Sequence, residues 1–461
     1  MQTLYILMLA VLLGAYGLLL VRLRKVFASL NPILGWIAGL GYFVIAPFSI
    51  VTLRGGFEYP AVYEQSGNWG AVDLSRPLFL GPWIFVWLAL MLACVTAFLS
   101  CPAPDAPTTE TRGISPKRLE HIVLFLMSLL LADAALTIYL NGGIEEFLIS
   151  HWYHRHDTLI ERFGVVYILY MHASAALNVL FVGAAALYAA AGLRGLATRR
   201  RFTAGVIFFL LLGTALHGNR IFVALYLLAF LASCWLSGRK KLLIALAVAS
   251  PVVILVFSAW AWVRQDLSAI PESVGTHVIE AEMDNRAVTT MMDATEGANV
   301  LLLMHIIGDA GTRYDYLYGS TYARLLTFFE PRILHPERTR SFTEIAASNY
   351  EPGEQMSLNS TALGEAAANF GLLGIFVAPL VTWLAARWSL RLAAAPSPNA
   401  LLSTVAFLMF IWFARSTFAE NAMTLAGAAI LVRVFAFDKN LYAAEPQKTP
   451  VQISGGSTCW T

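Results

Sequence analysis

Several places in this chain combine residue types that handle negative charge or protons. Arginine keeps its proton at any physiological pH, and its planar fork can hold a phosphate by two parallel hydrogen bonds. Arg220 ends the short run His217-Gly218-Asn219-Arg220 between two apolar stretches. It is suited to face an anion there, or simply to snorkel while closing a helical hairpin. Arg332 lies between Pro331 and Pro336, and two prolines stiffen the backbone that aims it. Arg415 and Glu420 share another tight connection, where they are placed to meet a substrate or to pair with each other. Arg264 follows Trp260 and Trp262 at the end of an apolar run and reads equally well as a boundary residue. Glu365 and Asn369 are four residues apart and so share one helix face. That carboxylate is a candidate proton acceptor, or an acid favoured by the dipole at a helix start. His151, His154 and His156 are a weak metal signal, because no helix sets the three rings on one face; beside them Trp152 and Tyr153 suit an interface with lipid. Cys94, Cys101, Cys234 and Cys459 have no metal-ligand spacing, so neither a disulfide nor a metal is expected.

The elements that must position these groups are membrane spans. The chain has 461 residues, 58% hydrophobic and 13% charged, against about 25% charged in a soluble domain. A span needs about 20 apolar residues to cross ~30 Å of hydrocarbon, and continuous apolar runs favour helices over barrel strands. The first run is followed, not preceded, by Arg22, Arg24 and Lys25, which suits a span starting outside better than a cleavable signal. Eleven spans are expected, at about 3–21, 33–53, 78–100, 119–140, 166–192, 202–217, 220–237, 242–262, 363–386, 399–413 and 420–436. Alternate connections are short and strongly basic, as cytoplasmic loops are. This puts the N-terminus outside and the C-terminus inside. All six lysines then fall on the cytoplasmic side, while the outer side carries thirteen cations, every one an arginine. The expected organisation is eight spans in residues 1–262, a long outer loop with short helices at 263–362, three spans in 363–436 and a cytoplasmic tail at 437–461. Recurrent aromatics and the apolar run 300–307, too short to cross, point to helices lying on the membrane surface or over a cavity mouth.

The late loop carries the most specific pattern. It reads Tyr314-Asp315-Tyr316-Leu317-Tyr318-Gly319-Ser320-Thr321-Tyr322, then Phe329-Glu330-Pro331-Arg332, then His335-Pro336-Glu337-Arg338. Ser357-Leu358-Asn359-Ser360-Thr361, Leu363-Gly364-Glu365 and Asn369-Phe370-Gly371-Leu372-Leu373-Gly374 follow. This order resembles the Wzy-like polymerases of O-antigen and exopolysaccharide repeat units, over about 60 residues (314–374). A lysine common after the second proline in that family is replaced here by Glu337-Arg338. Gly371 and Gly374 are expected to let a neighbouring helix approach closely.

The resemblance implies an all-α polytopic membrane protein with a GT-C-like bundle and a long periplasmic loop between spans 8 and 9, seated in a bacterial inner membrane. It implies an enzyme, a metal-independent glycosyltransferase without cofactors, that joins undecaprenyl-diphosphate-linked repeat units at the periplasmic face. That lipid-linked glycan serves as donor and acceptor. The bilayer, a chain-length regulator and a flippase are the other partners, and no nucleic acid is involved. On this reading Arg220, Arg264, Arg324, Arg332 and Arg415 hold diphosphate, Glu365 or His335 acts on the acceptor hydroxyl, and Asn359, Asn369, Tyr318 and Tyr322 contact substrate. A ligase that moves the glycan onto another lipid, or a polysaccharide or lipid transporter, are the alternatives. A transporter calls for polar groups through the span centres and often an internal repeat; no repeat is evident, although Asp133 and His172 fall within spans.

Overall fold

A computed structural model describes residues 1–27, 29–58, 69–101, 116–144, 147, 159, 162–192, 200–217, 221–236, 238–241, 243–244, 248, 283–313, 315–327, 340–350, 359–394, 400–435 and 437. The chain is mostly helical. In chain order the helices are α1 (Gln2–Val26), α2 (Pro32–Leu40), α3 (Ala46–Arg54), α4 (Leu80–Ser100), α5 (Pro116–Leu140), α6 (Val165–Gly192), α7 (Arg200–His217) and α8 (Ile221–Leu236). Then come α9 (Met283–Ala294), α10 (Ala298–Asp309), α11 (Ser320–Thr327), α12 (Phe342–Tyr350), α13 (Thr361–Phe370), α14 (Val377–Ala393), α15 (Ala400–Arg415) and α16 (Phe418–Val434). Two short strands, β1 (Gly56–Glu58) and β2 (Ala71–Asp73), pair antiparallel, with Phe57 opposite Val72.

Among the described residues, six helical stretches are long and apolar enough to cross a membrane: Gln2–Val26, Pro32–Arg54, Pro77–Ser100, Lys117–Leu140, Val166–Ala189 and Thr361–Ala393. Shorter apolar helices include Ile221–Leu236, Ala400–Arg415 and Asn421–Val434. Most of the span expected at 242–262 lies outside the described residues.

Local sequence explains several boundaries. Asn31 caps α2, its side-chain oxygen accepting from the Leu34 N–H at 3.1 Å, and Pro32 occupies the first turn, where no N–H is needed. Between α2 and α3 the helix widens into a π turn, Gly41–Ile45. Pro47 follows it and has no N–H to donate, and the wider turn absorbs the missing bond.

The core is built around α15, buried from Leu401 to Arg415. It runs against α2, where Gly35 and Gly39 remove the side chains that would separate the backbones. A Cβ on Gly35 would lie 2.1 Å from the Phe407 carbonyl oxygen, and one on Gly39 2.8 Å from Ala414 Cβ. Small residues one turn apart allow this approach where lipid supplies no hydrophobic drive between helices. Polar ties reinforce it: Trp36 Nε1 donates to Thr382 Oγ1 at 2.8 Å, and Ser403 Oγ donates to the Leu30 carbonyl at 2.6 Å.

Two groups of connections gather at two ends. At one, Arg22 donates to the Cys101 carbonyl at 2.9 Å and Ser389 Oγ donates to Asn31 Oδ1 at 3.2 Å. At the other, Trp69 packs with Leu302, Ile306, Phe342 and Tyr350 in a small second core. His305 Nε2 lies 2.9 Å from the Ala71 carbonyl oxygen. The segments expected to share the outer side therefore touch one another.

Helix α10, which contains the 300–307 run, is enclosed by other helices: Val300 to Met304 are buried, and the helix packs on α4 and α13. Its apolar residues surround the helix instead of lining one face, which is the pattern of an enclosed helix.

Candidate functional site

The best-defined polar site lies where α11, α13 and the α15–α16 turn meet. Its centre is Glu365, on α13 and 0% exposed. Thr321, on α11, donates its hydroxyl to Glu365 Oε1 at 2.8 Å, and the Phe418 N–H donates to Oε2 at 2.7 Å. Phe418 opens α16, so the carboxylate sits at the positive end of a helix other than its own. Asn369, one turn along α13, donates to Thr321 Oγ1 at 2.8 Å and to the Glu365 carbonyl at 2.7 Å. The shared face read from the spacing of Glu365 and Asn369 is thus used to bind α11.

Tyr322 stacks on Phe370, with ring centroids 5.6 Å apart and planes at 13°. Burial raises the pKa of its hydroxyl above the ordinary tyrosine value, and the Glu365 charge raises it further. Arg324, also on α11, lies within electrostatic reach of His172 on α6; His172 Nδ1 is 3.3 Å from Thr424 Oγ1 on α16. On the other side of the turn, Asn359 Oδ1 accepts from Ser416 Oγ at 2.9 Å. Arg415 meets Glu296: its Nε is 2.5 Å from Glu296 Oε2. Asn299 donates to the same oxygen at 3.2 Å. The Glu420 side chain lies outside the described residues.

Two features mark this junction as more than packing. Glu296 (φ +54°), Tyr318 (φ +46°) and Thr361 (φ +67°) are the non-glycine residues with left-handed backbone among the described residues, and Glu296 and Thr361 border it. Such conformations cost about 1–3 kcal/mol each and cluster at functional sites. Three buried polar atoms on α11 and at α13 also make no hydrogen bond among the described residues: the Tyr322 hydroxyl, Ser360 Oγ and Asn369 Oδ1. Orphans of this kind are rare in native proteins.

The structure therefore brings together Glu365, Asn369, Asn359, Tyr322, Arg324 and Arg415. Tyr318 stands apart at 82% exposed. Arg220, Arg264, Arg332 and His335 lie outside the described residues, as do the histidines at 151, 154 and 156. The expectation of Glu365 as proton acceptor meets a sealed carboxylate with both oxygens engaged. In this arrangement it holds α11, α13 and α16 together. Gly371, at φ +56°, faces the Tyr316 ring, while Gly374 admits the backbone of α13, where a Cβ would lie 2.6 Å from the Ala366 carbonyl oxygen. Sequence reasoning missed Glu296, which is 119 positions from Arg415 and had no signal of its own. It also missed the role of Thr321, although that residue sits inside the tyrosine-glycine motif. Among the described residues no three of His, Cys, Asp and Glu group as metal ligands would.

By the length and composition of its helices the chain is a helical membrane protein. Comparison with family models, with curated proteins and with solved structures finds no match.

Proposed function

We propose that this protein is a membrane glycosyltransferase that joins undecaprenyl-diphosphate-linked oligosaccharide units, acting at the periplasmic face of the inner membrane. One observation carries the reading. Segments far apart in sequence, and singled out for their chemistry or their likeness to the polymerases, converge on one junction through Glu365, Thr321, Asn359 and Arg415. The junction has the two things the reaction asks for. Arginines fixed in place stabilise the charge that builds on the departing diphosphate without reorganising. Buried, unsatisfied hydroxyl and amide groups are suited to bind sugar hydroxyls. In the transfer, an acceptor hydroxyl passes its proton to a carboxylate or imidazole base and attacks the anomeric carbon of the growing chain, and the lipid diphosphate leaves with the bonding electrons.

The transporter reading has one observation in its favour. Asp133, within α5, accepts from the Tyr170 hydroxyl and from Ser174 Oγ, each at 2.7 Å, and ionisable groups inside spans are functional candidates. Both oxygens of that carboxylate are taken by helix-to-helix bonds, which suits a tie between α5 and α6.

The test is reconstitution of the purified chain in liposomes with lipid-linked repeat units. Longer glycans are expected from the wild type without added metal, and single units only from R332A and R415Q. If the wild type moves glycan across the bilayer and never lengthens it, the glycosyltransferase reading is wrong.

A further inference from the structure

The pairing of Arg415 with Glu296 is one-sided. The contact uses Nε, and the two terminal Nη groups make no hydrogen bond among the described residues. The guanidinium is nevertheless mostly enclosed, with its side chain 10% exposed and that of Glu296 13% exposed. Burying an arginine beside a carboxylate is costly, and such pairs are weak devices for stability alone. Glu296 is also held at a left-handed φ in the turn 295–297 between α9 and α10. There Asn299 steadies the same oxygen that meets Arg415. A strained backbone, a second hydrogen bond to one carboxylate oxygen, and contact at the stem of the guanidinium together fix the plane and direction of the fork. They leave the Nη edge, which matches two phosphate oxygens, unused by the described residues.

We infer that Glu296 is a positioning residue that locks Arg415 with its Nη fork presented to a phosphate group of the lipid-linked substrate. The inference rests on the proposed function, in which Arg415 holds diphosphate, and adds the device that aims it. Glu296 touches no reacting atom; it acts through Arg415.

The test measures binding of farnesyl diphosphate, a diphosphate lipid without sugar, to the full-length chain in detergent micelles. Wild type, R415Q, E296Q and E296D are compared, with each variant's unfolding midpoint measured alongside. R415Q is expected to weaken binding by about a hundredfold and E296Q by about tenfold, as the loss of charge-assisted bonds implies. E296D keeps the charge and is expected to recover part of the E296Q loss. In E296Q the fork is also expected to lose its preference for diphosphate over monophosphate, which a purely structural role would leave intact. Should E296Q bind as well as wild type, or more tightly, with R415Q still weakened, Glu296 does not position the fork and only this inference falls. Should R415Q bind like wild type, or wild type not bind at all, the diphosphate site at Arg415 falls, and the inference with it. If E296Q is unfolded, nitroxide pairs decide. They are placed at Met291, which is 46% exposed, and at Phe370 in the otherwise wild-type junction with the native cysteines replaced. An unchanged distance distribution on adding farnesyl diphosphate is expected of a fixed fork, and displacement of α9 away from α13 would overturn it.

Discussion

Replacing Glu365 separates a holding carboxylate from a reacting one. In the native junction one oxygen accepts from Thr321 Oγ1 and the other from the Phe418 N–H. In E365Q the amide must turn its oxygen toward Phe418, because two N–H donors cannot face each other at 2.7 Å. Two charge-assisted bonds become neutral ones, a loss of about 1 kcal/mol each. The missing charge at the start of α16 adds about 0.5–1 kcal/mol. Relief from burying a charge offsets part of this, leaving a net cost of about 2 kcal/mol. E365A strands two buried donors at about 1–3 kcal/mol each and opens a cavity, so about 4 kcal/mol or more is expected. Unfolding in mixed micelles titrated with SDS, followed by tryptophan fluorescence, reads both values. A double-mutant cycle with T321V is expected to show coupling of about 1 kcal/mol or more, as residues in one network do. Wild-type stability in both E365Q and E365A, together with loss of glycan transfer, would refute the reasoning and return Glu365 to a chemical role.

The other predictions concern different elements. G35L drives a side chain into the Phe407 carbonyl, and its cost of about 3 kcal/mol or more is expected to appear as loss of monodisperse folded protein in detergent. R313Q removes a pair with Asp309 whose arginine side chain is 47% exposed. It is expected to change stability by about 0.5 kcal/mol or less and to leave glycan transfer intact, unlike R415Q. Burial, the largest influence, lowers the pKa of His305 below its ordinary value, partly opposed by the bond to Ala71 and the Asp309 charge. Because the folded chain then binds fewer protons at this site than the unfolded one, its contribution to stability is complete above the unfolded value, about 6.5. It erodes as pH falls from there through the lowered folded value. The SDS midpoint is therefore expected to fall between pH 7.5 and 5.5 in wild type, and to fall less in H305Q.

Much of this architecture was legible from composition. Long apolar runs must become helices in lipid, because no water is present there to satisfy a free backbone, and the ends of those expected at 33–53 and 166–192 fall within a residue of the helix ends at Pro32, Arg54, Val165 and Gly192. The pairing of Glu365 with Asn369 on one face was equally local. What the face meets was not. Glu365 reads alike as a base or a helix-start acid. Only the fold brings Thr321 and the start of α16 to its two oxygens. The 300–307 run was too short to cross, and its enclosure between α4 and α13 depended on the packing of other helices.

Periodicity, length and charge act over a few residues, so the amino-acid sequence by itself determined that this chain is helical, apolar and divided by basic and arginine-bearing connections. Partners chosen across a hundred positions depend on which backbones come close. Tertiary structure alone decided that Arg415 meets Glu296, and that Gly35 and Gly39 set the approach of α2 to α15. The physical reason is that a carboxylate's usefulness to an arginine falls with distance and with water between them. Neither quantity is written in the spacing of residues along the chain.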